Sequence, residues 1–205
     1  MSITICFDFG NTRLKAAIFK NKELLEMRVL ENDRPETIQA LLDECKPDKT
    51  ILSSVIHHDK AIETQLAAHS KFHLLGPATF INFTTPVGKP ETIGADRLAL
   101  VAAAVDLYPN QHNLIISLGT CITYNFVNIA HEFLGGSISP GMQMRFRAMH
   151  EQTALLPLIE ASNEFPLVGY DTKTNLLSGV ILGIAAEIDG IIAAYADKYG
   201  NFNVL

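Results

Sequence analysis

The sequence predicts a mixed α/β chain built from two similar halves, and three observations carry that prediction. Two stretches about a hundred residues apart each read as an apolar strand, a tight turn and a second apolar strand. The first is 3–19, around Asp8-Phe9-Gly10-Asn11-Thr12, and the second is 114–127, around Gly119-Thr120. After the first, short apolar runs alternate with segments of helical spacing, which is the order of an α/β lobe. At 205 residues, 48% hydrophobic and 19% charged, the chain is long enough for two compact lobes, which we divide as 1–111 and 112–205.

Each element has a local reason. Residues 22–29 alternate apolar and charged positions, as a third strand would. Pro35 suits a first helical turn, and Ile38, Leu41 and Leu42 continue a helix over 35–45. Residues 50–55 read as a buried strand, 59–69 as a helix with Ile62 and Leu66 on one face, and 72–75 as another strand. A Pro/Gly-containing loop over 84–91 leads into Gly94-Ala95-Asp96-Arg97, at the start of a helix rich in alanine and leucine. Beyond the second hairpin, 133–141 gives a strand and a glycine-rich turn, and 142–156 a helix. Residues 166–171 are loop, a long helix runs from just after Thr172 to about Tyr199-Gly200, and 203–205 begins a last strand.

Composition excludes several classes of function. A net charge of −6 and a pI of about 5.6 argue against nucleic acid, which selects basic faces. Cys6, Cys45 and Cys121 are far apart and form no C-x-x-C pair, so neither a disulfide framework nor a zinc site is expected. The N-terminus lacks the pattern of a signal peptide. The most apolar tract, 176–196, contains Glu187, Asp189 and three glycines, and is read as a buried helix rather than a membrane span. A cytoplasmic protein is the expectation. His69-Ser70-Lys71-Phe72-His73 lacks the acidic residue of a zinc protease helix and spans a predicted helix end, so His57, His58, His69 and His73 are read as surface residues.

The first turn gathers chemistry. Successive backbone N–H groups of such a turn cradle anions, Lys15 adds positive charge, and the Asp8 carboxylate suits a divalent cation. At the third helix, Asp96 either complements the helix dipole or takes a proton, beside an Arg97 able to bind an anionic substrate.

Together these stretches resemble the type III pantothenate kinases, of the actin, heat-shock ATPase and sugar-kinase superfamily. The family run Asp-x-Gly-Asn-Thr-x-x-Lys is met by residues 8–15 and Gly-x-Asp-Arg by 94–97. Gly-Thr-x-x-Thr is met by 119–123, Gly-Gly-x-Ile-x-Pro-Gly by 135–141, and the threonine ahead of a Ser-Gly pair by Thr172, before Ser178-Gly179. The resemblance implies two duplicated ribonuclease H-like lobes with a nucleotide cleft between them. It also implies transfer of the ATP γ-phosphate to the primary hydroxyl of pantothenate, the entry to coenzyme A synthesis. By the same resemblance Asp8, Phe9, Gly10, Asn11, Thr12, Arg13, Leu14 and Lys15, with Gly119 and Thr120, bind the phosphates, and Asp8 holds Mg²⁺. Asp96 is then the general base, and Gly94, Ala95, Asp96, Arg97 and Thr172 bind pantothenate, Thr172 from the partner subunit of a homodimer.

Four departures stand out. Ser117 replaces an aspartate that helps bind a monovalent cation (K⁺ or NH₄⁺), which argues against that ion here, and Asn125 replaces another aspartate. Val87 stands where a pantothenate-contacting tyrosine is expected. The family continues past the strand begun at Asn203, so the second lobe is expected to be truncated. Those departures motivate a second reading, a catalytically weak relative that serves as a binding or regulatory protein. A sugar kinase on the same hairpins is disfavoured by Gly94–Arg97.

Overall fold

A computed structural model describes residues 2–86 and 88–205, which fall into two compact units: Met1–Asn82 with Val87–Ala103, and Phe83–Pro86 with Ala104–Leu205. In the first, β1 (Ile3–Phe9), β2 (Leu14–Lys20) and β3 (Glu23–Leu30) form an antiparallel meander. The chain then passes through α1 (Pro35–Cys45), β4 (Lys49–Ser54), α2 (Lys60–His69) and β5 (Lys71–Leu74). The sheet order is β3-β2-β1-β4-β5, with β4 parallel to both β1 and β5.

Alternation along β1 decides what this sheet can do. Ile5, Phe7 and Phe9 are buried with Ala16 and Ile18 of β2 and Leu52 of β4, against Ile38, Leu41 and Leu42 of α1 and Ile62 and Leu66 of α2. Successive side chains of a strand point to opposite faces, so Thr4, Cys6 and Asp8 lie on the other face. Lys15 and Ser53, the register partners of Asp8 on β2 and β4, share that face. Helix α3 (Ala95–Leu107) begins in this unit, after a 3-10 turn at Pro90–Thr92.

The second unit repeats the plan. Its strands are β6 (Asn113–Leu118), β7 (Cys121–Val127), β8 (Phe133–Pro140) and β9 (Asn203–Val204), ordered β8-β7-β6-β9. Antiparallel pairing of β6–β7 and β7–β8, with β9 parallel to β6, reproduces β3-β2-β1-β4 strand for strand. The duplication expected from the two hairpins is therefore present in the topology. Helices α4 (Met142–Glu151) and α5 (Thr172–Tyr199) complete the unit. Leu114, Ile122, Tyr124 and Phe126 form its core with Ile184, Ile188, Ile191, Tyr195 and Tyr199 of α5.

Three expectations need correction. Helix α4 stops at Glu151, five residues short of the expected end. The Thr153 hydroxyl bonds back to the Met149 carbonyl, and Pro157 biases the residue before it away from helical backbone. Gly135 and Gly136 lie inside β8 rather than in a turn, and the chain bends only at Gly141. Helix α5 is buried along one stripe and not all round: Ala185, Ala186, Ala193 and Ala194 are exposed. It is long and apolar enough to cross a membrane, yet its apolar stripe is spent on the sheet and on α4. Its N-terminus is fixed by a capping box between Asp171 and Thr174.

Phe126 is the keystone of this packing, stacked on Tyr199 at 4.2 Å and beside Tyr195 at 5.0 Å. Phe126→Ala is expected to cost about 3–5 kcal/mol, read by equilibrium urea unfolding. A loss under about 1 kcal/mol would contradict this account of the core.

Candidate active site

Residues 10–13 form the tip of the first hairpin, where Gly10 N–H donates to the Arg13 carbonyl at 3.1 Å. Asn11, Thr12 and Arg13 are exposed, and Gly10 and Leu14 half-buried. Phe9 is in the core and contributes backbone only. Lys15 Nζ lies 3.8 Å from Asp8 Oδ2, a charge contact longer than a hydrogen bond, with the side chains 41% and 46% exposed. At that exposure the pair stabilises the fold by about 1 kcal/mol at most, so stability does not explain it.

The motif 94–97 approaches the same place from α3. Ala95 and Leu98 are buried, while Asp96 and Arg97 are half-buried. A Cβ built on Gly94 would fall 2.5 Å from Asp96 Oδ1 and 3.9 Å from Val55 Cγ1, so the Asp96 carboxyl curls back over Gly94 and a methyl there would push it aside. Val55 follows β4, and its N–H donates to the Phe9 carbonyl at 3.0 Å. The ends of β1 and β4 and the start of α3 are thereby brought together.

Electrostatics records this convergence. Burial raises the Asp8 carboxyl above the usual carboxylate range; Lys15 pulls it down, and the negative charge of Asp96 pushes it up. Burial lowers the Arg97 guanidinium, against the opposing pull of Asp96. Two carboxylates within electrostatic range of each other, with a lysine and an arginine beside them, favour occupancy by a cation and a polyanion. The Ser53 hydroxyl, register partner of Asp8, is buried with no hydrogen-bond partner among the described residues. It is an oxygen donor that the sequence did not single out.

His58 departs from the surface role expected for it. Its ring is only 12% exposed, with Nδ1 2.9 Å from Ser54 Oγ, Nε2 3.1 Å from Glu63 Oε1 and its edge against Phe9. It braces the end of β4 behind the hairpin. His57, His69 and His73 are exposed.

In the second unit, Gly119 and Thr120 form the exposed turn between β6 and β7, where Gly119 N–H donates to the Cys121 carbonyl at 3.0 Å. Gly141 seats directly on this turn. Its N–H donates to the Thr120 carbonyl at 3.0 Å, and a Cβ there would come 2.2 Å from the Gly119 carbonyl oxygen. An apolar cavity of about 200 Å³ adjoins Gly119, lined by Leu118, Ile122, Met142, Ile181 and Ile184. Ser117 pairs with Thr123 in register, and Asn125 is buried, donating to Thr123 Oγ1. Thr172 opens α5 and is exposed. It lies nine residues before Ile181, about 14 Å along the helix axis, so it is not part of the Gly119 turn of its own chain. Val87 lies outside the described residues.

Comparison with known proteins spans nearly the whole chain. The family model for type III pantothenate kinase matches residues 4–194. The type III pantothenate kinase of Christiangramia forsetii is 39% identical over 205 residues, covering 99% of this chain and 84% of that protein. That of Cytophaga hutchinsonii is 38% identical, covering 99% and 85%. A solved structure from Campylobacter jejuni, described as a Baf family transcriptional activator, is 22% identical with a TM-score of 0.52. It covers 91% of this chain and 78% of that one, and shows the shared fold. The matched motifs, the repeated sheet and the extent of these identities lead to one conclusion: the chain belongs to the type III pantothenate kinase family.

Proposed function

We propose that the protein transfers the γ-phosphate of ATP to the primary hydroxyl of pantothenate, with Asp96 as the base that receives the hydroxyl proton. The observation that carries this reading is the meeting of Asp96 and Arg97 with Asp8 and Lys15. Phosphoryl transfer demands positioning and charge neutralisation more than covalent chemistry. Backbone N–H groups of the Gly10–Arg13 tip and Lys15 would bind phosphate oxygens, and Gly119-Thr120 would add backbone and hydroxyl donors. Arg97 offers a planar fork suited to the pantothenate carboxylate. Asp96, held over Gly94, would orient the attacking oxygen and take its proton.

Asp8 and the unpartnered Ser53 hydroxyl are oxygen donors that would suit Mg²⁺, and such an ion, when bound, would neutralise phosphate charge. At Ser117 and Asn125 the oxygens are neutral, so a monovalent cation there would lack a counter-charge. The exposed Thr172, remote along α5 from the Gly119 turn, supports its use by a second subunit and hence a homodimer with shared sites. A cytoplasmic location suits these soluble substrates. The binding-only alternative is disfavoured, because the proposed base and both turns are intact in the sequence.

Incubation with Mg-ATP and pantothenate should yield 4′-phosphopantothenate; its absence under all nucleotide and salt conditions would reject the enzyme reading. Asp96→Asn should lower kcat by about 10²–10⁴-fold with the melting temperature held. Gly94→Ala should also lose turnover, because its methyl displaces the Asp96 carboxyl; wild-type rates in either variant would remove Asp96 from the mechanism. Asp8 must be ionised to hold a cation, so activity should fall on acidification at a pH above the ordinary carboxylate pKa. Lys15 lowers the Asp8 pKa, so Lys15→Met should move that acid limb to still higher pH. A limb that stays in place would contradict the coupling. Turnover in potassium and in tetramethylammonium chloride should agree within about twofold, given the uncharged Ser117 site.

A further inference from the structure

Glu187 is an acid in the most apolar helix of the protein, and its surroundings explain how it is accommodated. Its carboxylate accepts hydrogen bonds from Tyr124 OH at 2.9 Å, from Ser139 Oγ at 2.5 Å and from Arg145 Nη2. These donors come from β7, β8 and α4, so one side chain of α5 ties together three other elements. Burial pushes the Glu187 carboxyl up, but the bonds from Ser139, Arg145 and Tyr124 outweigh it and hold the group below its ordinary value. The same contact, together with burial, pushes the Tyr124 phenol up to about 12.

The network does not end at the ion pair. Arg145 Nε donates to the Pro140 carbonyl at 2.8 Å, and the next residue, Gly141, donates its N–H to the Thr120 carbonyl. An unbroken path of polar contacts thus runs from the middle of α5 to the Gly119-Thr120 turn, within the second unit throughout. The two side chains are about a quarter exposed, so the ion pair adds little to stability by itself. What the ionic arrangement adds is a fixed geometry for the β8–α4 bend.

We propose that Glu187 and Arg145 are positioning residues for nucleotide binding: the carboxylate fixes the guanidinium, the guanidinium fixes the Pro140 carbonyl, and Gly141 then holds the Gly119-Thr120 turn in its phosphate-receiving shape. The proposal rests on the reading of that turn as a phosphate contact. It assigns to α5 a task distinct from that of Thr172 at its N-terminus. The Tyr124 hydroxyl bonds the same carboxylate but lies off the path to the turn, which makes it an internal control.

The test compares Glu187→Gln, Arg145→Lys and Tyr124→Phe in the full chain. Three quantities are measured: the Kd for Mg-ATP by titration, the KM for each substrate, and amide hydrogen exchange over 135–142. Glu187→Gln and Arg145→Lys should raise the Kd and KM for ATP about tenfold, leave the KM for pantothenate within about twofold, and speed exchange at Gly141. Tyr124→Phe should leave ATP affinity within about twofold. Unchanged ATP affinity and unchanged Gly141 exchange in the first two variants would overturn the proposal. So would a rise in both KM values together with a fall in kcat and melting temperature, the mark of a general structural role. A wild-type protein that binds ATP without phosphorylating pantothenate would reject the enzyme reading and leave the positioning role supported by the binding and exchange results. If it binds no ATP, Gly141 exchange alone decides whether Glu187 governs the turn, and the nucleotide part of the proposal falls.

Discussion

The constraint on which the first unit depends is the two-residue period of β1. Ile5, Phe7 and Phe9 are driven into the core by the area they remove from water, and this commits Asp8 to the opposite face. A slip of one residue would bury the carboxylate among the side chains of α1 and α2 and expose three large apolar groups. Such an exchange is strongly unfavourable on both counts. The hydrophobic core thereby specifies the direction of a charged side chain that contributes almost nothing to stability itself.

The two sheets share a strand order but not a chemistry. In the first unit the turn after the leading strand is flanked by Asp8, Lys15, Asp96 and Arg97, where Lys15 and Asp96 pull the Asp8 carboxyl in opposite senses and Asp96 acts against the burial of Arg97. In the corresponding turn of the second unit, neutral groups predominate: Ser117, Thr120, Thr123 and Asn125. Among the described residues, its ion pair lies behind the turn, between Arg145 and Glu187. Charge beside the turn is concentrated in the first unit, and in the second it is set among β7, β8, α4 and α5.

Much of this was legible in the chain because it depends on local spacing. Apolar runs on either side of turn residues marked both hairpins, Pro35 marked the start of α1, and the alanine–leucine run marked α3 with Asp96 in its first turn. What escaped the sequence is what depends on partners far along it. Ser53 gains meaning only once β4 is known to lie beside β1 in a register that sets it opposite Asp8. Glu187 stood out as a charge in an apolar tract, but its partners lie 42 to 63 residues earlier. His58 was misread because burial of a polar ring by Phe9 and Glu63 has no local signature. The end of α4 was overrun because helical spacing of apolar residues persists past Glu151 while backbone preferences near Pro157 do not.

The short strand β9 sets the direction in which the chain passes the second sheet. It runs parallel to β6; Leu205 donates its N–H to the Leu114 carbonyl, and its own carbonyl accepts from Ile116. Parallel strands share a direction, so β9 is aimed alongside the last part of β6 toward the Gly119 bend. In the same way β4, parallel to β1, is aimed at the Gly10 tip, where Val55 N–H donates to the Phe9 carbonyl.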